Sequence, residues 1–182
     1  TNFNFDGDNF TQSRNPFGST QLEELVHLIK MPGIGMFNTH YLHDGMVRGD
    51  TLWAAAVNIG KFLVIDATTK DSTVILASHG TPNAFTHNSW ISDDNSVLFT
   101  TDEIGDAYLT AYDVSDLANI TELDRIQTSL GTSIIPHYAH VYDQWVVTSY
   151  YTAGVQIVDA KYPELLVEVG FYDTTICSHS FV

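Results

Sequence analysis

Basic residues are scarce in this chain: 7 Lys and Arg stand against 22 Asp and Glu in 182 residues, a formal net charge of −15. Such a surface repels polyphosphates, so nucleic acid and anionic membranes are not expected partners. Cysteine is nearly absent. With Cys177 alone, no internal disulfide framework can form. No apolar run approaches the roughly 20 residues that span a bilayer as a helix, so no transmembrane segment is expected. There is no Gly-x-Ser-x-Gly elbow and no phosphate loop, which removes two common routes to catalysis.

What the chain does have is aromatic and β-branched residues, with 10 Phe, 9 Tyr and 3 Trp, and a repeat. A short apolar segment ending in Asp occurs three times, at Phe62–Asp66, Leu109–Asp113 and Val155–Asp159. The steps between the three aspartates are 47 and 46 residues. A period in the forties made of short strands indicates the blades of a β-propeller. Other landmarks keep step. His43, His87 and His137 each lie seven residues before a hairpin turn, at Asp50, Asp94 and Gln144. An apolar run follows each turn, then a glycine (Gly60, Gly105, Gly154), then the Asp-ended strand. A more polar strand closes each unit, starting at Ser72, Ile120 and Pro163.

The expected fold is all-β, with about three complete four-stranded antiparallel blades and one leading strand, a partial propeller. Residues 1–19 are an irregular segment. Residues 20–33 match the last strand of a preceding blade, although Leu22–Lys30 taken alone also reads as a short amphipathic helix. The blades themselves occupy 38–80, 85–129 and 135–172, and 175–182 form an atypical tail. Three blades do not close a ring of ordinary geometry, so the chain is expected to be a fragment or else to complete the ring with other copies, and an open stack would expose apolar faces and blade edges to self-association.

The histidines are the leading candidates for chemistry. In a propeller the first strand of each blade lines the central channel, so His43, His87 and His137 face a common axis. Three neutral imidazoles there could hold a transition metal such as zinc. Asp44, Asn88 and Tyr138 follow them in sequence and could orient the rings. The competing reading is that each histidine bonds the backbone of the next blade and is part of the packing. His140 forms a His-x-x-His pair with His137, but residues three apart on a strand point to opposite faces. Asp102 and Glu103, in the acidic loop 101–106, are candidates for a calcium site or else ordinary solvated turn residues. His27, His79 and His179 read as surface residues. Asp66, Asp113 and Asp159 read as structural, accepting hydrogen bonds from the turns that follow them.

The motif Phe62-Leu-Val-Ile-Asp66 resembles the LVIVD repeat, a propeller-forming unit of bacterial surface proteins. The spans 85–94, 98–105, 109–116 and 147–155 resemble the choice-of-anchor B group within that family. The resemblance covers roughly residues 38 to 174. It implies an exported, bacterial, extracellular or cell-surface protein, and it brings no established activity. The chain departs from the pattern after Thr174. Two functions are therefore expected to compete. One is a non-enzymatic binding or envelope module with a protein or polysaccharide ligand. The other is a metal-dependent hydrolase or lyase working through the channel histidines.

Overall fold

The computed structural model describes residues 42–69 and 72–174. The expected leading strand at 20–33, the segment 1–19 and the tail 175–182 lie outside them. The described residues form twelve strands, with a 3-10 turn at Val57–Ile59. The first sheet contains β1 (Asp44–Arg48), β2 (Thr51–Ala56), β3 (Lys61–Asp66) and β4 (Val74–Gly80). The second contains β5 (Thr86–Ile91), β6 (Val97–Asp102), β7 (Leu109–Asp113) and β8 (Thr121–Ile126). The third contains β9 (Pro136–Tyr142), β10 (Trp145–Tyr150), β11 (Gly154–Asp159) and β12 (Val167–Tyr172). Each sheet is an antiparallel meander in chain order. This is the propeller blade expected from the repeat.

Local chemistry explains the reversals. Each first hairpin turns at a residue in the left-handed region, Gly49 (φ 59°), Asn95 (φ 63°) or Asp143 (φ 55°). Gly, Asn and Asp are the residues that tolerate it. The Asp ending each third strand accepts a backbone N–H from two residues on, at 2.8 Å from Thr68, 2.9 Å from Ser115 and 2.9 Å from Lys161. A glycine is required at Gly60 (φ 60°), where a Cβ would lie 2.5 Å from Ala84 Cα. The second blade differs from the expected punctuation. There the left-handed residue before β7 is Asp106 (φ 61°), not Gly105, in a longer connection.

Two features escape the sequence reading. Every fourth strand carries a bulge at the same repeat position, opposite Val64/Ile65, Ala111/Tyr112 and Ile157/Val158. An extra residue there (Leu76, Leu123 or Val169) sharpens the twist of the outer rim. The fourth strand of the third blade also starts at Val167, not Pro163, because Leu165 N–H bonds Tyr162 O at 2.8 Å and closes a turn first.

The blades stack face to face. β5 packs on β1 and β2, and β9 packs on β5 and β6, so the three first strands are innermost. One apolar cluster runs through both seams. It joins Trp53, Phe62 and Val64 to Leu98, Phe99, Leu109, Ala111 and Tyr112, and on to Ala139, Val146 and Val158. Alternate residues of the first blade (Val47, Leu52, Ala54, Leu63 and Ile65) form a second buried cluster on its other face. His79 is a correction to the surface reading. It is half-buried at the first seam, its ring 5.7 Å from Phe62 and 5.2 Å from Tyr112.

Candidate metal centre at the blade axis

The stacking converts repeat equivalence into convergence. His43 directly precedes β1, His87 is the second residue of β5 and His137 the second of β9. Their rings form a file, with centroids 4.0 Å apart from His43 to His87 and 4.5 Å from His87 to His137. The backbone fixes two of them. His43 N–H bonds Ala55 O at 2.9 Å, and Thr101 Oγ1 donates to His137 O at 2.6 Å across the second seam.

Glu103 follows β6 immediately, and its N–H bonds Phe85 O at 3.1 Å. That tether aims the carboxylate inward. One oxygen lies 3.3 Å from His87 Nε2, the other 3.7 Å from His137 Nε2. One donor atom each from His87, Glu103 and His137 all fall within 4.8 Å of one another. The Tyr151 hydroxyl donates to Glu103. Tyr151 occupies in the third blade the position of Glu103 in the second, and its N–H bonds Ile135 O at 3.1 Å in the same way. The sequence reading missed Tyr151, although aligning the residue after each second strand (Val57, Glu103, Tyr151) singles it out.

Burial sets the charge state. His87 is 2% exposed. Desolvation, reinforced by His43 and His137 and only partly offset by Glu103, lowers its pKa to about 4. Its Nδ1 is buried without a hydrogen bond of normal geometry. His137 is lowered too, by burial first, with Glu103 opposing. The tyrosines stay neutral. Burial and then Glu103 push Tyr151 up to about 12, and burial, Asp44 and Glu103 push Tyr138 up to about 12. Behind the file, buried Asn88 donates to Asp44 Oδ2 at 2.6 Å and accepts Ala139 N–H at 3.0 Å. One amide thus ties all three blades. Burial raises Asp44 to about 6 against that bond.

The other candidates lie elsewhere. His140 stacks on Trp90 with centroids 4.5 Å apart, and burial lowers it to about 4. It is not among the converging donors. The acidic loop splits three ways. Asp102 is 1% exposed, so the solvated-turn reading fails for it. Its oxygens accept Thr81 Oγ1 at 2.5 Å, Asn83 N–H at 2.9 Å and Phe85 N–H at 3.1 Å, fastening the connection between the first two blades. Glu103 turns to the axis, and Asp106 accepts Ser133 N–H at the exposed rim. These carboxylates do not gather as a calcium loop would need.

No protein-family description matches this sequence, and no curated protein matches it by sequence. Solved structures do match in fold. The propeller domain of Cps50 (Swd1) from Myceliophteria thermophila is 14% identical, with TM-score 0.58, over 76% of this chain and 43% of that one. A Lactobacillus plantarum protein is 13% identical, with TM-score 0.58, over 75% and 43%. A candidate 6-phosphogluconolactonase from Bacteroides fragilis is 10% identical, with TM-score 0.55, over 66% and 35%. The chain spans less than half the length of each. At these identities the likeness is one of fold alone.

Proposed function

We propose that this partial propeller holds one divalent transition-metal ion, zinc in the first instance, through His87, His137 and Glu103. The carrying observation is the gathering of these three donor atoms within 4.8 Å from two different blades. Two imidazoles and a carboxylate are a donor set suited to zinc, and three protein ligands leave a coordination position for water or substrate. His87 meets the His137 backbone, as packing alone would have it, but its Nε2 also lies 3.3 Å from Glu103. A side chain kept neutral by burial keeps its lone pair available.

When bound, the ion supplies a Lewis acid that activates water near neutral pH, the chemistry of a hydrolase or lyase. The chain's own residues do the positioning. Tyr151 holds the Glu103 carboxylate by its hydroxyl, Thr101 anchors the His137 backbone, and His43 lies against His87 and disfavours its protonation.

A second reading is a non-enzymatic, exported or cell-surface module that recognises a protein or polysaccharide. Aromatic residues exposed on the third blade support it: Tyr142 (37%), Trp145 (39%), Tyr162 (61%) and Tyr172 (73%). Tyr and Trp suit recognition surfaces. Elemental analysis of the purified protein separates the two. About one equivalent of metal, lost on His87→Ala or His137→Ala and kept on His140→Phe, supports the metal centre. A metal-free protein whose melting temperature ignores both zinc and chelator removes it and leaves the binding module.

A further inference from the structure

The residues that adjoin Glu103 are apolar, although the chain as a whole is acidic. Thr86 and Asp102 are register partners at the start of β5 and the end of β6. One step further, Phe85 O accepts Glu103 N–H at 3.1 Å, so Phe85 lies opposite Glu103 on the same face of the sheet. Ile104 follows Glu103 in the chain. Phe85 and Ile104 are 41% and 44% exposed, whereas Thr86, His87 and Asp102 beside them are buried.

Neither residue is loose. Phe85 N–H bonds Asp102 Oδ1 at 3.1 Å, in addition to the bond its carbonyl accepts from Glu103. Ile104 N–H bonds Asp102 O at 2.9 Å, and its carbonyl accepts Ala107 N–H at 3.2 Å. A single exposed apolar side chain needs no explanation. Here two large ones are held in water, and both adjoin the same carboxylate. The third blade repeats the arrangement. Tyr151 N–H bonds Ile135 O as Glu103 N–H bonds Phe85 O, so Ile135 is the aligned residue beside Tyr151.

Charge narrows what such an approach admits. The chain carries a formal net charge of −15, and two carboxylates, Asp44 and Glu103, both act on Tyr138 beside the histidine file. Anions are repelled from a site of that sign. A metal ion acting as a Lewis acid takes a carbonyl oxygen.

We propose that the centre takes a small neutral carbonyl compound, with its oxygen at the metal and an apolar or aromatic group on the carbonyl carbon seated against Phe85 and Ile104. This rests on the metal reading above and adds the substrate class to it.

The test uses the full chain loaded with zinc, with zinc content measured on every sample. Acetohydroxamate and benzohydroxamate offer a metal the same pair of oxygens and differ in methyl against phenyl. Calorimetric titration should show benzohydroxamate binding at least about tenfold more tightly. Phe85→Ser and Ile104→Ser should each cut that ratio by about threefold or more, with zinc content, acetohydroxamate affinity and far-UV circular dichroism unchanged. Val74→Ser, 54% exposed on the first blade, should leave the ratio as it is. A carboxyl group at the 4-position of the phenyl ring should weaken binding by about threefold or more at low ionic strength. Equal affinities of the zinc-loaded chain for the two hydroxamates overturn the inference. So does a preference for phenyl that survives both serine variants, which places the apolar group elsewhere, and so does unweakened binding of the 4-carboxyl compound. A chain that retains no zinc overturns the metal reading itself, and the zinc content separates that outcome from the others.

Discussion

The first and third blades are built from one pattern but live in different surroundings. In the first, both faces of the sheet are buried: Trp53 and Val64 on the seam side, Leu52 and Ile65 on the other. In the third, Val146 and Val158 are buried against the second blade, while Ile157 on β11 and Val167 and Val169 on β12 are 40%, 45% and 52% exposed. The bulged pairing of the third and fourth strands and the Asp-closed turn are the same in both. Hydrogen bonding within a blade is therefore independent of its neighbours, whereas apolar burial is not, as expected of a repeat architecture.

The sharpest way to break this comparison is to mutate one repeat position in two blades. Phe99→Ala in the buried seam should cost about 3–5 kcal/mol, while Val147→Ala on the open face should cost under about 1 kcal/mol, read from urea midpoints. Equal losses would mean that the third blade is covered as fully as the second. Next comes Asn88, the amide shared by three blades. Asn88→Ala leaves a buried carboxyl and a buried N–H short of a partner and should cost about 2–3 kcal/mol, well above Tyr138→Phe at the aligned position.

A third test uses acid. His140 titrates near 4 in the folded protein, below the ordinary value of 6.5. At this site the unfolded chain therefore binds more protons between those values, so the His140 contribution to stability falls as pH drops from about 6.5 toward 4, in the same direction as that of His87 and against that of Asp44. The slope is at most about 1.4 kcal/mol per pH unit for one proton. His140→Phe should flatten the slope in a metal-free urea series, and an unchanged slope would mean that His140 is not the group responsible. The smallest effect expected is from Asp113→Ala and Asp159→Ala. Both should lower the melting temperature slightly and by similar amounts, because both turns close within their own sheet.

These contrasts also explain what could be read from the sequence. The strands and turns were legible because alternation and the Asp, Gly and Asn positions act locally. The histidine file was legible because repeat equivalence plus stacking implies a common axis. The fate of the acidic loop was not. Adjacent carboxylates Asp102 and Glu103 point in opposite directions at the end of β6, and only the neighbouring connection and the third blade decide what each meets. Tyr151 went unnoticed for the same reason, since its partner Glu103 lies 48 residues earlier.

The three-way amide at Asn88 has a consequence for how such a chain can change over generations. Duplication or loss of a unit leaves the Asp-closed turns intact, since each is self-contained. Near the centre, one side chain answers to two other units at once, so a spliced-in copy must arrive with matching partners or strand them. Variation in this architecture should accordingly accumulate at the periphery, with the innermost positions changing together or not at all.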